Sequence, residues 1–405
     1  MSVARLIIAD SEKNANLYYA TRFLAPDPFM FAQVDPSTRP PGLAHLVPST
    51  VLGARQDSAP PTAGLRGHTI VIMSDLELDR AKSQARVDEV LSYAKLSQDL
   101  KRRGTAEPTM MDVVADLLKS RSVEQVEVPI DFGVAYADAL RKRGLTVQPK
   151  ADPFFPERMV KSEEEVALLT EVLRITEEAL AIAIELIRHS EPKPDGTLWL
   201  AGKPLTVELL RKTMHLTMME RDCVAQHTII APGVQAVDPH NEGSGALRAN
   251  EPIVMDVFPQ HARSRYFADI TRTVVRGAAS PKVKRMFELV KEGQEIAYRM
   301  IRDGVDGSTV HQAITHSFEH AGFKTGEQGG RMQGFFHGTG HGVGLEIHEP
   351  PRVSGKPDIL KAGMVVTVEP GLYYLDAGGM RIEDMVVVRK DGCEVLTKAP
   401  KVLEV

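Results

Sequence analysis

Cysteine is nearly absent from this 405-residue chain: there are two, Cys223 and Cys393, far apart in sequence. That excludes a disulfide framework and fits a reducing compartment. No apolar run approaches the roughly 20 residues of a membrane span. The N-terminal run Leu6-Ile-Ile-Ala9 is too short for the hydrophobic stretch of a signal peptide. A cytoplasmic, unanchored protein is therefore expected. Neither sign of charge dominates, with 49 Lys and Arg against 54 Asp and Glu and a net charge of −5. The basic balance of a nucleic-acid binder is missing. No internal repeat of solenoid period is visible.

What is present is an ordinary globular composition, 43% hydrophobic and 25% charged. The length exceeds one ordinary core, so two domains are expected. The break falls at Ala151-Asp-Pro-Phe-Phe-Pro156, giving domains over 1–155 and 156–405. In the first, strands at 4–9, 69–73, 126–128 and around Val147 alternate with helices over 76–94, 110–118 and 134–142, a small α/β unit. Ser11 to Phe23 reads as a helix or a turn. From Pro26 to Gly67 the chain is rich in Pro, Ser and Gly, and loops with short strands are expected, with Leu43, Leu46, Val47 and Val51 buried. In the second domain Ser162-Glu-Glu-Glu165 is a capping box that opens a long helix. Helices also cover 207–220, 281–301 after Ser280-Pro281, and 308–321 before Gly322. A hairpin turns at Asp391-Gly392. Helices and strands cluster instead of alternating strictly, so the overall class is α+β.

One stretch organises the second domain: His337-Gly-Thr-Gly-His-Gly-Val-Gly-Leu-Glu-Ile-His348-Glu349, with three of the thirteen histidines. Its glycines let backbone approach a bound ion or substrate closely. Asp256, Asp269, Glu369 and Glu383 lie in apolar, strand-like segments around it, where side chains alternate across a sheet. Taken singly, each of these residues is an ordinary strand-end, turn or loop residue. Together, four buried carboxylates could not all ionise without compensation. Two divalent cations would balance their charge. Oxygen ligands with one imidazole suit Mn²⁺, Fe²⁺, Co²⁺ or Zn²⁺, and no cysteine lies within these motifs, which argues against a structural zinc site.

These segments resemble the metal-dependent peptidases of the pita-bread fold: methionine aminopeptidase, aminopeptidase P and prolidase. The likeness covers roughly residues 160–400, with five motif blocks in the family's order. It implies five metal ligands. Asp256 and Asp269 match the two Asp ligands, His341 the His, Glu369 the Glu of Glu-Pro-Gly-Leu-Tyr373, and Glu383 the Glu of Arg381-Ile-Glu-Asp. Asp269 and Glu383 would be shared by the two cations, Asp256 would hold one, and His341 with Glu369 the other. The two Asp ligands are 269 − 256 = 13 positions apart, slightly more than the family's usual spacing, which implies an insertion in the hairpin between them. The family's Asp-x-Gly is Asp256-Val-Phe here. The cations would activate a water and polarise the scissile carbonyl, and Glu369 would pass a proton to the leaving nitrogen. By the same resemblance His240 and His348 contact substrate or the reacting centre, Tyr373 lies near the substrate, Arg381 orients carboxylates around the metals, and His337 is structural.

The N-terminal 150 residues set this chain apart from methionine aminopeptidase and are similar to the extra domain of aminopeptidase P, prolidase and creatinase. Creatinase and a non-catalytic binding module use this scaffold without metals, and the full ligand set here argues against both. The resemblance implies cleavage of Xaa-Pro bonds in proline-containing peptides, first as a dipeptidase, with aminopeptidase P as the alternative. Arg352, in His348-Glu-Pro-Pro-Arg352, matches an arginine that binds the dipeptide carboxylate in some prolidases. Mn²⁺ is the expected metal, Co²⁺ or Zn²⁺ the alternatives. A homodimer is expected, without nucleic acid or membrane as partner.

Overall fold

A computed structural model describes residues 2–35, 65 and 67–405. Two compact units emerge, Met1–Arg158 and Met159–Val405, so the division falls three residues after the one expected from sequence. The expected burial of Leu43, Leu46, Val47 and Val51 lies outside the described residues.

The first unit is built on one mixed sheet. Its strands are β1 (Ser2–Ala9), β2 (Phe29–Val34), β3 (His68–Met73), β4 (Glu89–Ser92), β5 (Val123–Pro129) and β6 (Thr146–Lys150), in the order β4-β3-β2-β1-β5-β6. β2 runs antiparallel to both β1 and β3, while β4, β5 and β6 pair in parallel. Helices α1 (Ala15–Thr21), α2 (Asp75–Gln84), α3 (Tyr93–Arg102), α4 (Met110–Ser120) and α5 (Val134–Lys142) accompany it. The single helix expected over 76–94 is instead α2, then β4, then α3. Parallel pairing with β3 draws Val90 and Leu91 into the sheet. Asp88 accepts from the Thr69 backbone and hydroxyl, each at 2.8 Å. Ser92 then accepts from Lys95 N and caps α3. A charged stretch with two apolar residues carries no periodicity that separates an edge strand from a helix turn.

The second unit holds four long helices: α6 (Glu163–Arg188), α7 (Val207–Met219), α8 (Pro281–Met300) and α9 (Gly307–His320). Ser162 and Glu165 form the expected capping box at the start of α6. Pro281 begins α8 behind an Ser280 cap. A three-stranded antiparallel sheet is formed by β7 (Ile229–Pro232), β8 (Pro252–Val257) and β9 (Ile270–Val275). A five-stranded sheet combines β10 (Gly340–Gly342), β11 (Glu349–Val353), β12 (Val365–Val368), β15 (Asp384–Val388) and β16 (Cys393–Val395) in the order β11-β10-β12-β15-β16. The hairpin β13 (Gly371–Tyr374)/β14 (Gly378–Arg381) lies between β12 and β15 in the chain. β12 and β15 are apolar at almost every position, as strands covered on both faces are. One apolar core joins α8, α9 and these strands through residues such as Met286, Val290, Ile314, Val366, Leu372 and Val386.

Candidate metal centre

The five expected ligands arrive from both sheets. Asp256 lies within β8, and Asp269 immediately precedes β9. His341 is the middle residue of β10. Glu369 follows β12, and Glu383 precedes β15. Only Asp256 and His341 therefore sit inside strands; the other three occupy strand ends, where the backbone leaves the ladder and a side chain is free to turn inward. All five line one cavity of about 670 Å³, together with His240, His337, His348, Arg352 and Arg381.

Ligand-type atoms of Asp269, His341 and Glu383 all lie within 4.8 Å of one another. His341 Nε2 is 3.6 Å from Asp269 Oδ2 and 3.4 Å from Glu369 Oε1. The opposite ring nitrogen, Nδ1, is 3.1 Å from the Gly342 carbonyl. A carbonyl only accepts, so Nδ1 carries the hydrogen and Nε2 presents a lone pair to the carboxylates. Burial, then the neighbouring His348, pushes His341 down to about 3, so the imidazole is neutral. The His348 ring stands edge-on to it at 4.3 Å.

Glycine is required on both sides of His341. A Cβ on Gly340 would meet the Thr367 carbonyl oxygen at 1.9 Å, and one on Gly342 the Pro350 oxygen at 2.4 Å. β10 is thus pressed between β12 and β11, which brings His341 to the carboxylates.

The carboxylates are held on one side and open on the other. Arg381 Nη2 donates to Asp256 Oδ2 at 2.7 Å, and Thr271 donates its hydroxyl to Glu383 Oε2 at 2.7 Å. Asp256 Oδ1, Asp269 Oδ1 and Glu383 Oε1 are buried without a hydrogen-bond partner among the described residues. Burial first, then the neighbouring carboxylates, pushes Asp269 and Glu383 well above the usual carboxylate range, and burial lifts Glu369 to about 7. Buried polar atoms without partners are rare and call for an explanation. Three unpartnered carboxylate oxygens around one neutral imidazole, with Arg381 the one cation bonded to the group among the described residues, fit divalent cations.

His240, His348 and Arg352 are exposed at the cavity. Tyr373, expected near the substrate, does not line it. Its side chain is fully buried behind Arg381, which donates to its hydroxyl through Nη1 at 2.8 Å. That hydroxyl in turn lies 2.9 Å from His337 Nε2, and His337 Nδ1 lies 2.8 Å from the Gly338 carbonyl. Arg381 can only donate and the carbonyl can only accept, so the hydrogens run one way from Arg381 through Tyr373 and His337 to Gly338. Burial and the Arg381 charge push His337 down to about 3.

Several supporting residues escaped the sequence reading. Thr271 stands in register opposite Asp256, two positions after Asp269 and so on the same face. The signal for it was that period of two in Asp269-Ile-Thr-Arg-Thr273. Arg272, on the opposite face, is buried against Asp384. Glu349 forms a buried ion pair with Lys161, and no sequence signal joins residues so far apart.

Residues 167–390 match the model of metallopeptidase family M24. The Xaa-Pro dipeptidase of Pyrococcus horikoshii is 34% identical over 248 residues, 61% of this chain and 64% of that protein. The match thus spans just under two thirds of that relative. The Xaa-Pro dipeptidase of Pyrococcus furiosus is 30% identical over 295 residues, 72% of this chain and 78% of its own length. Among solved structures, an Xaa-Pro dipeptidase from Bacillus anthracis superposes with a TM-score of 0.76 at 22% identity, covering 100% of this chain and 95% of the other. An X-Pro aminopeptidase from Thermotoga maritima gives 0.72 at 22%, covering 100% and 98%. At such identities the superpositions speak for the fold.

Proposed function

The chain belongs to metallopeptidase family M24, and from that premise we propose that it hydrolyses Xaa-Pro peptide bonds as a dipeptidase, releasing proline. The observation that carries this reading is the convergence of Asp256, Asp269, His341, Glu369 and Glu383 on one cavity, with three carboxylate oxygens left unpartnered. The names of both Pyrococcus relatives support the Xaa-Pro specificity.

Those five side chains would hold the metal ions. Divalent cations, when bound, supply Lewis acidity to a water and to the scissile carbonyl. The chain's own residues do the rest. Arg381, braced by Tyr373, fixes Asp256, and Thr271 fixes Glu383. Glu369 lines the cavity partly exposed; its carboxylate takes a proton from the attacking water and delivers it to the prolyl nitrogen, which departs as a secondary amine. His240 and His348, exposed at the same cavity, hydrogen-bond the substrate backbone. No hydrogen bond or ion pair among the described residues occupies the Arg352 guanidinium, so its planar fork is free for the carboxylate of a dipeptide.

The oxygen-rich donor set supports Mn²⁺ first, then Co²⁺ or Zn²⁺. On this reading residues 1–155 are the creatinase- or prolidase-like N-terminal domain, and the protein is a homodimer of the cytoplasm. The deciding assay strips the protein with chelator, restores Mn²⁺, and compares proline release from an Xaa-Pro dipeptide with cleavage of an Xaa-Pro-Yaa tripeptide. Preference for the dipeptide is expected. Preference for the tripeptide would favour aminopeptidase P instead. Full activity in excess chelator, with no metal by elemental analysis, would overturn the metallopeptidase reading.

A further inference from the structure

Gln294 lies in the middle of α8, in no motif, and its side chain is completely buried. Its amide nitrogen donates to two main-chain carbonyls, Val368 O at 3.0 Å and Ile382 O at 3.1 Å, with Asp384 Oδ2 farther off at 3.5 Å. Val368 directly precedes Glu369, and Ile382 directly precedes Glu383. One side-chain amide therefore ties together the two points at which β12 and the β14–β15 connection deliver their glutamates.

The orientation of that amide is forced. Two carbonyls can only accept, so the NH₂ must face them. The cost is visible: Oε1 of Gln294 is buried with no partner among the described residues. An apolar side chain would fill this place without an orphaned oxygen, but could not hold two carbonyls at a set separation. The same region carries a second brace. Arg272 donates through Nη1 to the Glu383 carbonyl at 2.8 Å and through Nη2 to Asp384 Oδ1 at 2.8 Å. Asp384 Oδ2 accepts from Tyr298, one turn beyond Gln294 on α8, at 2.6 Å. Arg272 and Tyr298 thus anchor Glu383 and its successor only, whereas Gln294 alone among these reaches the Glu369 side as well.

We propose that Gln294 is a positioning residue for the metal centre, setting the separation of Glu369 and Glu383 by bridging the carbonyls of Val368 and Ile382. The proposal rests on the reading of those glutamates as metal ligands. Partners that orient metal ligands typically contribute 10–100-fold to affinity, so loss of the bridge should weaken the site without emptying the fold.

The test is Mn²⁺ and Co²⁺ titration of chelator-stripped full-length protein by calorimetry, with the visible spectrum of the Co²⁺ form as a readout of ligand geometry. Gln294→Met keeps the volume close and removes both donors. It is expected to raise the dissociation constant about 10-fold or more and to alter the Co²⁺ spectrum. Tyr298→Phe removes a hydrogen bond from the same helix without touching either carbonyl; it is expected to lower thermal stability and leave metal affinity at the wild-type value. Gln294→Asn keeps the amide but withdraws it by one methylene, and serves if the Met variant does not fold; intermediate affinity is expected. Wild-type affinity and spectrum in a folded Gln294 variant, or an equal loss of affinity in Tyr298→Phe, would overturn the positioning role while leaving the metal centre standing. Failure of the wild-type protein itself to bind either ion would overturn the metal-centre reading, and this inference with it.

Discussion

Thr271 gives its hydroxyl hydrogen to Oε2 of Glu383 at 2.7 Å, and the other oxygen of that carboxylate, Oε1, is buried without a partner among the described residues. One oxygen is thereby fixed and the other offered to the cavity. If Glu383 is shared by two ions while His341 holds one, the two losses should differ. Glu383→Ala is expected to empty or scramble the site, with activity reduced by several orders of magnitude. His341→Ala is expected to keep part of its metal. Elemental analysis after gel filtration separates these outcomes, and full metal content in both variants would contradict the ligand assignment.

The metal-free centre should make stability depend on pH in a definite direction. Burial raises Glu369 from an ordinary 4.5 to about 7 and holds Asp269 and Glu383 well above the carboxylate range. A folded-state pKa above the unfolded value stabilises fully below the unfolded value, and that contribution is lost as pH rises through the folded one. The stripped protein is therefore expected to become less stable from about pH 4.5 upward through 7, by up to about 3 kcal/mol from Glu369 alone. Metal requires the deprotonated carboxylates, so binding should release protons and remove the loss. Thermal unfolding of chelated and Mn²⁺-loaded protein at about pH 5 and about pH 8 checks this; an equal gap between the two forms at both pH values would contradict it.

How far these features were legible in the sequence follows from their range. Ser162 and Glu165 are three residues apart, so the capping box, and with it the start of α6, could be read directly. The blocks that bring Asp256, Asp269, His341, Glu369 and Glu383 to one cavity were legible because each carries its own short pattern, such as the glycines at 340 and 342 that flank His341. β4 was not, because Val90 and Leu91 become a strand only through pairing with β3. Gln294 was not, since its meaning lies in carbonyls more than 70 residues away. Tyr373 could be found from the Glu-Pro-Gly-Leu-Tyr block, but its place behind Arg381 depends on how β13 and β14 fold back on each other.

Lys161 and Glu349 form an ion pair in which both side chains are almost wholly buried, 2% and 1% exposed. Glu349 directly follows His348 and begins β11, so the pair anchors the end of the histidine-rich segment. Removing one partner leaves the other buried without this counter-charge and costs about 3–5 kcal/mol, while replacing both by apolar groups can be neutral. Lys161→Met and Glu349→Leu are each expected to lower unfolding free energy by that amount, and the double variant by clearly less than their sum. Denaturant unfolding measures all three, and strictly additive losses would show that the two charges do not act as a pair.

Arg352 should decide chain-length preference. It stands opposite His341 in the β10–β11 pairing, and its exposed side chain lines the cavity. An Xaa-Pro bond has no amide hydrogen, so recognition on that side of the bond must come from elsewhere. A dipeptide ends in a carboxylate next to the prolyl ring, which a guanidinium can bind through two hydrogen bonds. A tripeptide presents an amide at the same place and gains far less. Truncating one member of a desolvated charge pair costs about 2–5 kcal/mol, and the exposure of Arg352 places the expected loss at the lower end, about 30-fold in kcat/KM for Xaa-Pro. Arg352→Ala should leave Xaa-Pro-Yaa cleavage within a few-fold of wild type, and Arg352→Lys should recover only part of the dipeptide activity because the ammonium cannot offer the planar fork. Equal losses on both substrates would assign Arg352 to the centre itself through its charge on His341 and His348, and no loss on either would remove it from substrate recognition.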